Sequence, residues 1–283
     1  MNELIGRSNS TNMVAVEESA SIAEIQAKMI LARNFPRDVD VCLEYIKREC
    51  QNKELAEKAT YEFPRGDSVV RGASIRLVEC VARHWGNLLS GIKEVSSNEK
   101  EATVKAYAWD LETNFADEKV FTVPYVRSSK QYGKRQLTDE RDRYEAMANM
   151  AARRKRACMQ AIIPQFVIDE AVEACQRTLE EGMKGKNIED VKRSMLDAFK
   201  KKAEWITEAD FETVVGKPFD TFSTKDIVKL RNLYNAINDG FVKPEVAFKR
   251  ESAAEAPDDK AAETLDEVNA MFAAGADNGT NEG

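Results

Sequence analysis

The spacing of apolar and polar residues changes several times along the chain, and each spacing predicts a different element. Apolar residues three and four positions apart indicate an amphipathic helix, whereas strict alternation indicates a half-buried strand. The clearest alternation places small residues from Ala102 to Ala108 on one face of a strand and Tyr107 and Trp109 on the other. The small face favours close packing of a helix.

The N-terminal half of the chain is predicted to contain, in order, a helix beginning at a capping box of Ser21 and Glu24, a helix after Pro36, a hairpin of strands 60–63 and 68–71, and a helix from Ser74 to Gly86. These are followed by strands 88–95, 102–111 and 118–127 and a basic loop 128–137. The remaining predicted elements are a long helix from 138 or 139 to Ile163 and helices 165–181, 188–202 and 224–238.

This order predicts an α+β fold. We expect a β-hairpin, a helix, a three-stranded antiparallel sheet and a long basic helix, followed by a small helical C-terminal domain and a disordered acidic tail. The patternless polar start and the Ala/Glu/Asp/Gly-rich end are typical of disorder. The predicted regions are a disordered N-terminus (1–20), an α+β core (21–181), a helical C-terminal domain (187–249) and a disordered acidic tail (250–283).

Charge is distributed unevenly along the chain. The formal net charge is −7, but residues 250–283 hold nine acidic and two basic residues, so the other 249 residues are neutral. Within them, residues 119–156 carry eleven Lys or Arg against four Asp or Glu. A strongly basic middle beside a strongly acidic end predicts an anionic binding partner for the middle.

The sequence does not contain the motifs that several classes of chemistry require. There is no GxxxxGK[ST] loop and no GxGxxG, so ATP or dinucleotide binding is not predicted. The five cysteines form no CxxC pair, which favours a reducing cytoplasm. Cys80 and the only histidine, His84, are four residues apart on a predicted helix, but two ligands do not make a metal site, and we interpret both as ordinary helix residues. We therefore expect no cofactor, no metal and no catalytic residue.

A metal-dependent nuclease needs clustered carboxylates. The candidates are Asp110, Glu112, Asp117 and Glu118. The second pair follows the first by only seven residues and is predicted to lie in a solvated turn. A nuclease is therefore a weaker alternative.

The long helix carries four consecutive cations, from Arg153 to Arg156. Its apolar stripe runs from Tyr144 to Ile162, with Arg153 and Arg156 pointing away from the stripe and Arg154 and Lys155 near its border. A solvated helix face is one interpretation. No acid lies between Ala146 and Gln160, whereas solubility helices usually interleave Glu, so phosphate binding is favoured.

Tyr107 and Trp109 have two interpretations as well. Aromatic residues on one strand face can stack nucleic-acid bases. Aromatic residues at strand spacing are more often part of a core, and we favour that interpretation.

Four motifs resemble phage and prophage recombination proteins of the RecT/Redβ/Erf single-stranded-DNA annealing superfamily. The similarity covers about residues 40–180 and does not extend to the C-terminal domain. The motifs are Val69-Val70-Arg71-Gly72-Ala73-Ser74, Trp85-Gly86-Asn87, Ala106-Tyr107-Ala108-Trp109-Asp110-Leu111-Glu112 and Met147-Ala148-Asn149-Met150-Ala151-Ala152-Arg153-Arg154.

The resemblance implies a non-enzymatic, ATP-independent protein that anneals complementary single strands in recombination. It also implies a homo-oligomeric ring or filament, with the strand in a groove lined by the hairpin and the long helix. A partner exonuclease or single-strand-binding protein is expected at the C-terminal region. The alternative is an accessory protein of phage replication whose basic region docks an acidic partner. The predicted nucleic-acid-binding residues are Arg65, Arg71, Arg76, Arg127, Lys130, Lys134, Arg135, Arg153, Arg154, Lys155 and Arg156.

Overall fold

Ten α-helices and seven strands lie within residues 19–66, 68–129 and 133–250, which are the residues that the computed structural model describes. The α+β class is confirmed. The helices are α1 (residues 19–34), α2 (Val39–Cys50), α3 (Lys53–Glu57), α4 (Ile75–Trp85), α5 (Glu140–Ile162), α6 (Gln165–Glu181), α7 (Ile188–Lys200), α8 (Glu208–Val215), α9 (Thr224–Asn238) and α10 (Pro244–Ala247), with a 3-10 turn at Phe219–Thr221. The strands are β1 (Thr60–Arg65), β2 (Ser68–Ala73), β3 (Leu88–Ser97), β4 (Glu101–Asp110), β5 (Ala116–Pro124), β6 (Val126–Ser129) and β7 (Gly133–Gln136).

Polar side chains cap the helices that the sequence predicts. The Asp38 carboxylate accepts hydrogen bonds from two backbone N–H groups at the start of α2, and Asp139 does the same at the start of α5. The Ser74 hydroxyl accepts from the backbone N–H of Leu77 at the start of α4. Gly86 ends that helix with φ of 67°, a left-handed conformation that glycine adopts without strain.

The three-stranded sheet is antiparallel in the order β3-β4-β5, so β4 is central. Its small side chains, Ala102, Val104, Ala106 and Ala108, are fully buried. Helix α5 packs on this face, close enough for the Cys158 thiol to donate to the Ala106 carbonyl at 3.6 Å. The prediction that a helix packs on the small face of this strand is confirmed. Pro124 ends the edge strand β5, where a missing N–H breaks no ladder.

Buried apolar residues form three clusters within the described part of the chain. The first lies among α2, α3, α4, α6, the end of α5 and the sheet. The second lies among the C-terminal helices and includes Tyr61 of β1. The third is small and lies between β4, β5 and α5.

The β1–β2 hairpin packs on the C-terminal helices. The Tyr61 ring lies 4.5 Å from the ring of Phe241, centroid to centroid. The Thr60 hydroxyl donates to Asn232 at 2.7 Å, and the Asn235 amide donates to the Thr60 carbonyl at 2.9 Å. These contacts join segments more than 170 residues apart, so the hairpin connects the two predicted domains.

Four details of the sequence prediction are wrong. Residues 19 and 20 are already helical, so Ser21 lies inside α1 and does not cap it. The predicted loop 128–137 contains part of the hairpin of β6 and β7, in which Val126–Ser129 pair with Gly133–Gln136 in antiparallel register. Residues 117–119 belong to β5 and not to a turn. Tyr144, assigned to the apolar stripe of α5, is 65% exposed.

The predicted disordered ends lie outside the described residues, except for residues 19 and 20, which lie in α1, and Arg250. The Arg250 guanidinium binds the carboxylate of Asp210 at 3.1 Å and lies 4.2 Å from the ring centroid of Trp205. Arg250 therefore belongs to the folded part of the chain.

Candidate nucleic-acid interface

Arg153 and Arg156 reach from α5 to the C-terminal part of the chain. The Arg153 guanidinium lies 5.0 Å from the ring centroid of Phe241 and donates to the carbonyl of Gly240 at 3.3 Å. Arg156 lies over the rings of both Tyr61 and Phe241, at 5.1 and 5.4 Å. Burial lowers the pKa of Arg156, against the favourable effect of Tyr61. These two arginines of α5 thus contact the β1–β2 hairpin and the segment between α9 and α10.

Arg154 and Lys155 reach the elements on either side of that contact. The Arg154 guanidinium lies 4.2 Å from the ring centroid of Phe121 on β5 and donates to the carbonyl of Met150 at 3.1 Å. The Lys155 ammonium forms an ion pair with Glu79 of α4 at 2.9 Å. All four cations of the run are half-buried. The run therefore joins α5 to the sheet, to α4 and to the C-terminal helices.

The three arginines predicted around the first hairpin differ in their partners. Arg71 forms an exposed ion pair with Glu62 at 3.0 Å, across the strands. Arg76 binds the Asp239 carboxylate through both guanidinium nitrogens, at 2.9 and 3.3 Å. Arg65 is exposed at the turn, and its side chain has no hydrogen bond or ion pair among the described residues. Arg65 alone of the three is available for a phosphate without breaking a contact.

The second hairpin carries two arginines in directly opposite positions. Arg127 of β6 pairs with Arg135 of β7 in the antiparallel register. Both are exposed, and neither side chain has a hydrogen bond or ion pair within the described part of the chain. Lys134 pairs with Ser128 at the next position, and Lys130 lies outside the described residues. Like charges directly opposite each other destabilise a strand pair, and an anion bound between them would relieve this repulsion.

Tyr107 and Trp109 lie on the face of β4 that α5 does not cover. Both are half-buried, and neither belongs to a buried cluster of the described residues. Gly91 on the neighbouring strand accommodates the Tyr107 ring, since a Cβ there would lie 2.6 Å from the hydroxyl. The Trp109 indole donates to Asn114 at 3.1 Å. The interpretation of both residues as core is therefore wrong, because among the described residues a helix packs on only one face of the sheet.

The four carboxylates considered for a nuclease do not form one metal site. Asp110 and Glu112 both bind Arg37 and share it as their cationic partner. Asp117 and Glu118 lie on β5, with Lys119 beside the first at 3.4 Å and Lys105 paired with the second. Each carboxylate thus already has a cationic partner.

Sequence reasoning missed the role of Arg37. Three of the motif residues that carry the resemblance surround it: its guanidinium binds Asp110 and Glu112 and lies 4.8 Å from the ring centroid of Trp85. The Asn87 amide donates to the same Glu112 oxygen at 2.6 Å. No local pattern near Pro36 indicates this partner set, because it comes from residues 48 to 75 positions away. Two of the four motifs therefore have a structural explanation as one buried polar cluster.

Comparison with known proteins finds no matching family model, no matching curated protein and no matching solved structure. The resemblance to the annealing superfamily accordingly stays a prediction. Within the described residues, no helix is both long enough and apolar enough to cross a membrane.

Proposed function

We propose that this chain binds single-stranded DNA through its phosphates and anneals complementary strands without ATP. The observation that carries the binding part is the opposed pair of Arg127 and Arg135 on an exposed hairpin. Their repulsion lowers the stability of the hairpin unless an anion lies between them. Arginine presents a planar fork of donors that matches phosphate oxygens, so a phosphate relieves the repulsion and is held by charge-assisted hydrogen bonds.

A nucleic-acid backbone is the anion that the surrounding charge favours. The hairpin lies within residues 119–156, where Lys and Arg exceed Asp and Glu by seven. Each contact with a phosphate of a nucleic acid releases counterions. An extended polyanion, which offers many such contacts, therefore binds more strongly than an isolated anion. Phosphate contacts carry no sequence information, and an annealing protein needs none.

The open face of β4 supports a single strand as the ligand. This face runs from Glu101, beside the β6–β7 hairpin, to Trp109, a span of roughly 26 Å. Tyr107 and Trp109 lie toward its far end, and Lys93 and Lys105 are opposite each other between them and the hairpin. Aromatic rings stack on bases only where the bases are not already paired and stacked in a duplex.

The annealing part of the proposal rests on the four sequence motifs and on the lack of a phosphate-binding loop in the sequence. It includes a homo-oligomer that holds the strand with its bases accessible. In this proposal the cations from Arg153 to Arg156 support the fold beneath the interface, and Arg65, Arg127 and Arg135 contact the strand. An exonuclease or single-strand-binding partner remains part of the proposal for the C-terminal region.

An annealing assay tests the proposal directly. Two complementary oligonucleotides, each with one dye of an energy-transfer pair, are mixed with and without the protein and with no nucleotide. We expect the protein to accelerate pairing and added ATP to leave the rate unchanged. Pairing at the same rate without the protein, or a requirement for ATP, contradicts the proposal.

A second candidate is an interaction protein, and α1 favours it. Ile30 and Leu31 of α1 are 59 and 56% exposed, and Phe35, directly after the helix and four residues from Leu31, is 73% exposed. An apolar row of this kind is typical of a protein-binding helix. If this is the whole function, an unstructured oligonucleotide shows no salt-dependent binding, and Leu31→Asp abolishes capture of a protein partner. If the annealing proposal is right, the oligonucleotide binds and its affinity falls as salt rises.

A further inference from the structure

Three side chains of metal-ligating types meet between α2 and α4. Cys80 and His84 lie one turn apart on the same side of α4, and Glu49 approaches from the last turn of α2. One possible ligand atom from each residue lies within 4.8 Å of the others. The Nε2 atom of His84 is 4.0 Å from Oε1 of Glu49. The structure thus adds to Cys80 and His84 the third ligand that the sequence did not indicate.

One nitrogen of the His84 ring, Nε2, is buried without a hydrogen-bond partner among the described residues. The Tyr45 ring stacks on the imidazole with 6.1 Å between the centroids and 18° between the planes, which restricts the plane of the imidazole ring. Buried polar atoms in proteins almost always have a partner, so a buried nitrogen without one is a candidate ligand atom.

The donor set determines which ion fits. A thiolate and an imidazole with one carboxylate are typical ligands of zinc, whereas Mg²⁺ and Ca²⁺ take oxygen ligands. Zinc bonds of about 2.0 to 2.3 Å place tetrahedral ligands roughly 3.5 Å apart, so the present spacing must contract by about 1 Å. The Glu49 side chain is 47% exposed, so its carboxylate can move toward the other two ligand atoms by a rotamer change that leaves the core undisturbed.

We propose that Glu49, Cys80 and His84 form a zinc site that clamps α2 to α4. The three protein ligands leave the fourth tetrahedral position for a water molecule on the solvent side, beside Glu49. The site is separate from the opposed arginines on the second hairpin, so it does not depend on the proposed DNA binding. Because a structured site binds zinc in the folded state, the ion stabilises the fold by mass action.

Zinc binding by the full chain tests this inference. The untagged protein is treated with a chelator, dialysed and titrated with Zn²⁺ by calorimetry, and with Co²⁺ by absorption spectroscopy. We expect one ion per chain, a higher melting temperature with zinc, and with Co²⁺ both a thiolate charge-transfer band and the intense visible bands of a four-coordinate ion. Mg²⁺ at the same concentrations should leave the melting temperature unchanged.

Variants identify the ligands. Glu49→Gln should weaken zinc binding by about tenfold or more, since even outer partners of a metal site contribute that much. Glu44→Gln is the matched control, because Glu44 is an exposed residue of the same helix outside the cluster. Cys80→Ser should remove the thiolate charge-transfer band from the Co²⁺ spectrum. If the buried serine prevents folding, His84→Gln replaces it as the second ligand variant and should weaken zinc binding.

Three results overturn the inference. They are the absence of zinc binding by the folded wild-type chain, wild-type affinity in both Glu49→Gln and His84→Gln, and a Co²⁺ spectrum without a thiolate band. In the second case the zinc is bound by other residues of the chain. None of these results affects the annealing assay.

Discussion

The Arg37 guanidinium donates to the Asp110 carboxylate, with 2.7 Å between Nη1 and Oδ2, and joins segments 73 residues apart. The two side chains are only 9 and 5% exposed. Arg37 Nε binds Glu112 at 2.9 Å, and the Asp110 carboxylate also accepts from the backbone N–H groups of Glu112 and Thr113. This cluster fixes the segment before α2 against the end of β4.

Removing the charge of Asp110 should destabilise the fold. We expect Asp110→Asn to lower the free energy of unfolding by about 3 kcal/mol at neutral pH, because a buried arginine then loses one of its two carboxylates. Urea unfolding measures the change. Glu101→Gln on the same strand is the control, since Glu101 is exposed and should change stability little. Equal stability of the two variants would show that the buried pair contributes nothing.

The effect of this pair should depend on pH. Burial favours a higher pKa for Asp110, but the hydrogen bonds from Arg37 and from two backbone N–H groups outweigh it and hold the pKa below its ordinary value of 3.8. Stability from this carboxylate is therefore present above pH 3.8 and is lost as the pH falls through the lower folded-state value. The difference between wild type and Asp110→Asn should be constant near neutrality and narrow below about pH 4. A difference that is already gone at about pH 6 contradicts the assignment.

A negative charge at position 127 should weaken DNA binding and at the same time stabilise the hairpin. Replacing Arg127 by Glu creates a cross-strand pair with Arg135, which should raise the free energy of unfolding by up to about 1 kcal/mol. The same change should weaken binding of an unstructured oligonucleotide more than Arg127→Ala does. Fluorescence anisotropy and urea unfolding measure the two effects. Weaker binding together with lower stability would assign the loss to misfolding.

The double variant Arg127→Ala/Arg135→Ala should also change the salt dependence of binding. We expect the slope of log affinity against log salt to become shallower by about 1.4, or about 0.7 for each lost contact with a single strand. Arg177→Ala/Arg193→Ala removes the same charge from two exposed positions on α6 and α7 and should leave the slope unchanged. Equal slopes in both double variants would contradict binding at this hairpin.

The arginine run of α5 should behave as a structural feature. Arg156→Lys keeps the charge but loses the planar contact with Tyr61 and Phe241, so the free energy of unfolding should fall by about 1 kcal/mol. The salt slope of DNA binding should stay as in the wild type. Unchanged stability together with a shallower salt dependence of binding would indicate that Arg156 contacts the DNA strand.

Much of the fold could be predicted because its signals are local. The cap at Ser74, the glycine at Gly86 and the small face of β4 specify their elements within a few residues. The hairpin of β6 and β7 was missed because its residues are Ser, Lys, Arg and Gln, which do not alternate in hydrophobicity. A strand with two polar faces leaves no periodic pattern.

The partners of the charged residues could not be predicted, because they come from distant segments. The sequence indicates that Arg153 and Arg156 point away from the sheet, but not that Phe241 covers them there. It indicates Cys80 and His84 on one side of a helix, but not that Glu49 joins them. Composition identifies a basic region, whereas only tertiary contacts separate paired cations from free ones.

The acidic end of the chain should compete with DNA for the basic surface. Residues 251–283 hold nine acidic residues and one lysine, so deleting them changes the formal net charge from −7 to +1. Carboxylates tethered to a DNA-binding protein are present at high local concentration and compete with phosphates for its cations. We expect the deletion to tighten oligonucleotide binding at low salt and to have less effect as salt rises, because exposed charges are then screened.

A variant whose C-terminal segment is neutralised distinguishes the effect of the segment's charge from the effect of its length. Changing the same nine residues to Asn or Gln keeps the length of the segment and removes its negative charge, so it should reproduce the effect of the deletion on the salt series. Leu265, Val268, Met271 and Phe272 recur at helical spacing in this segment and remain in the neutralised variant. If the deletion tightens binding and the neutralised chain does not, the apolar residues and not the carboxylates are responsible. Equal affinities of all three proteins at every salt concentration would exclude a role for residues 251–283 in DNA binding.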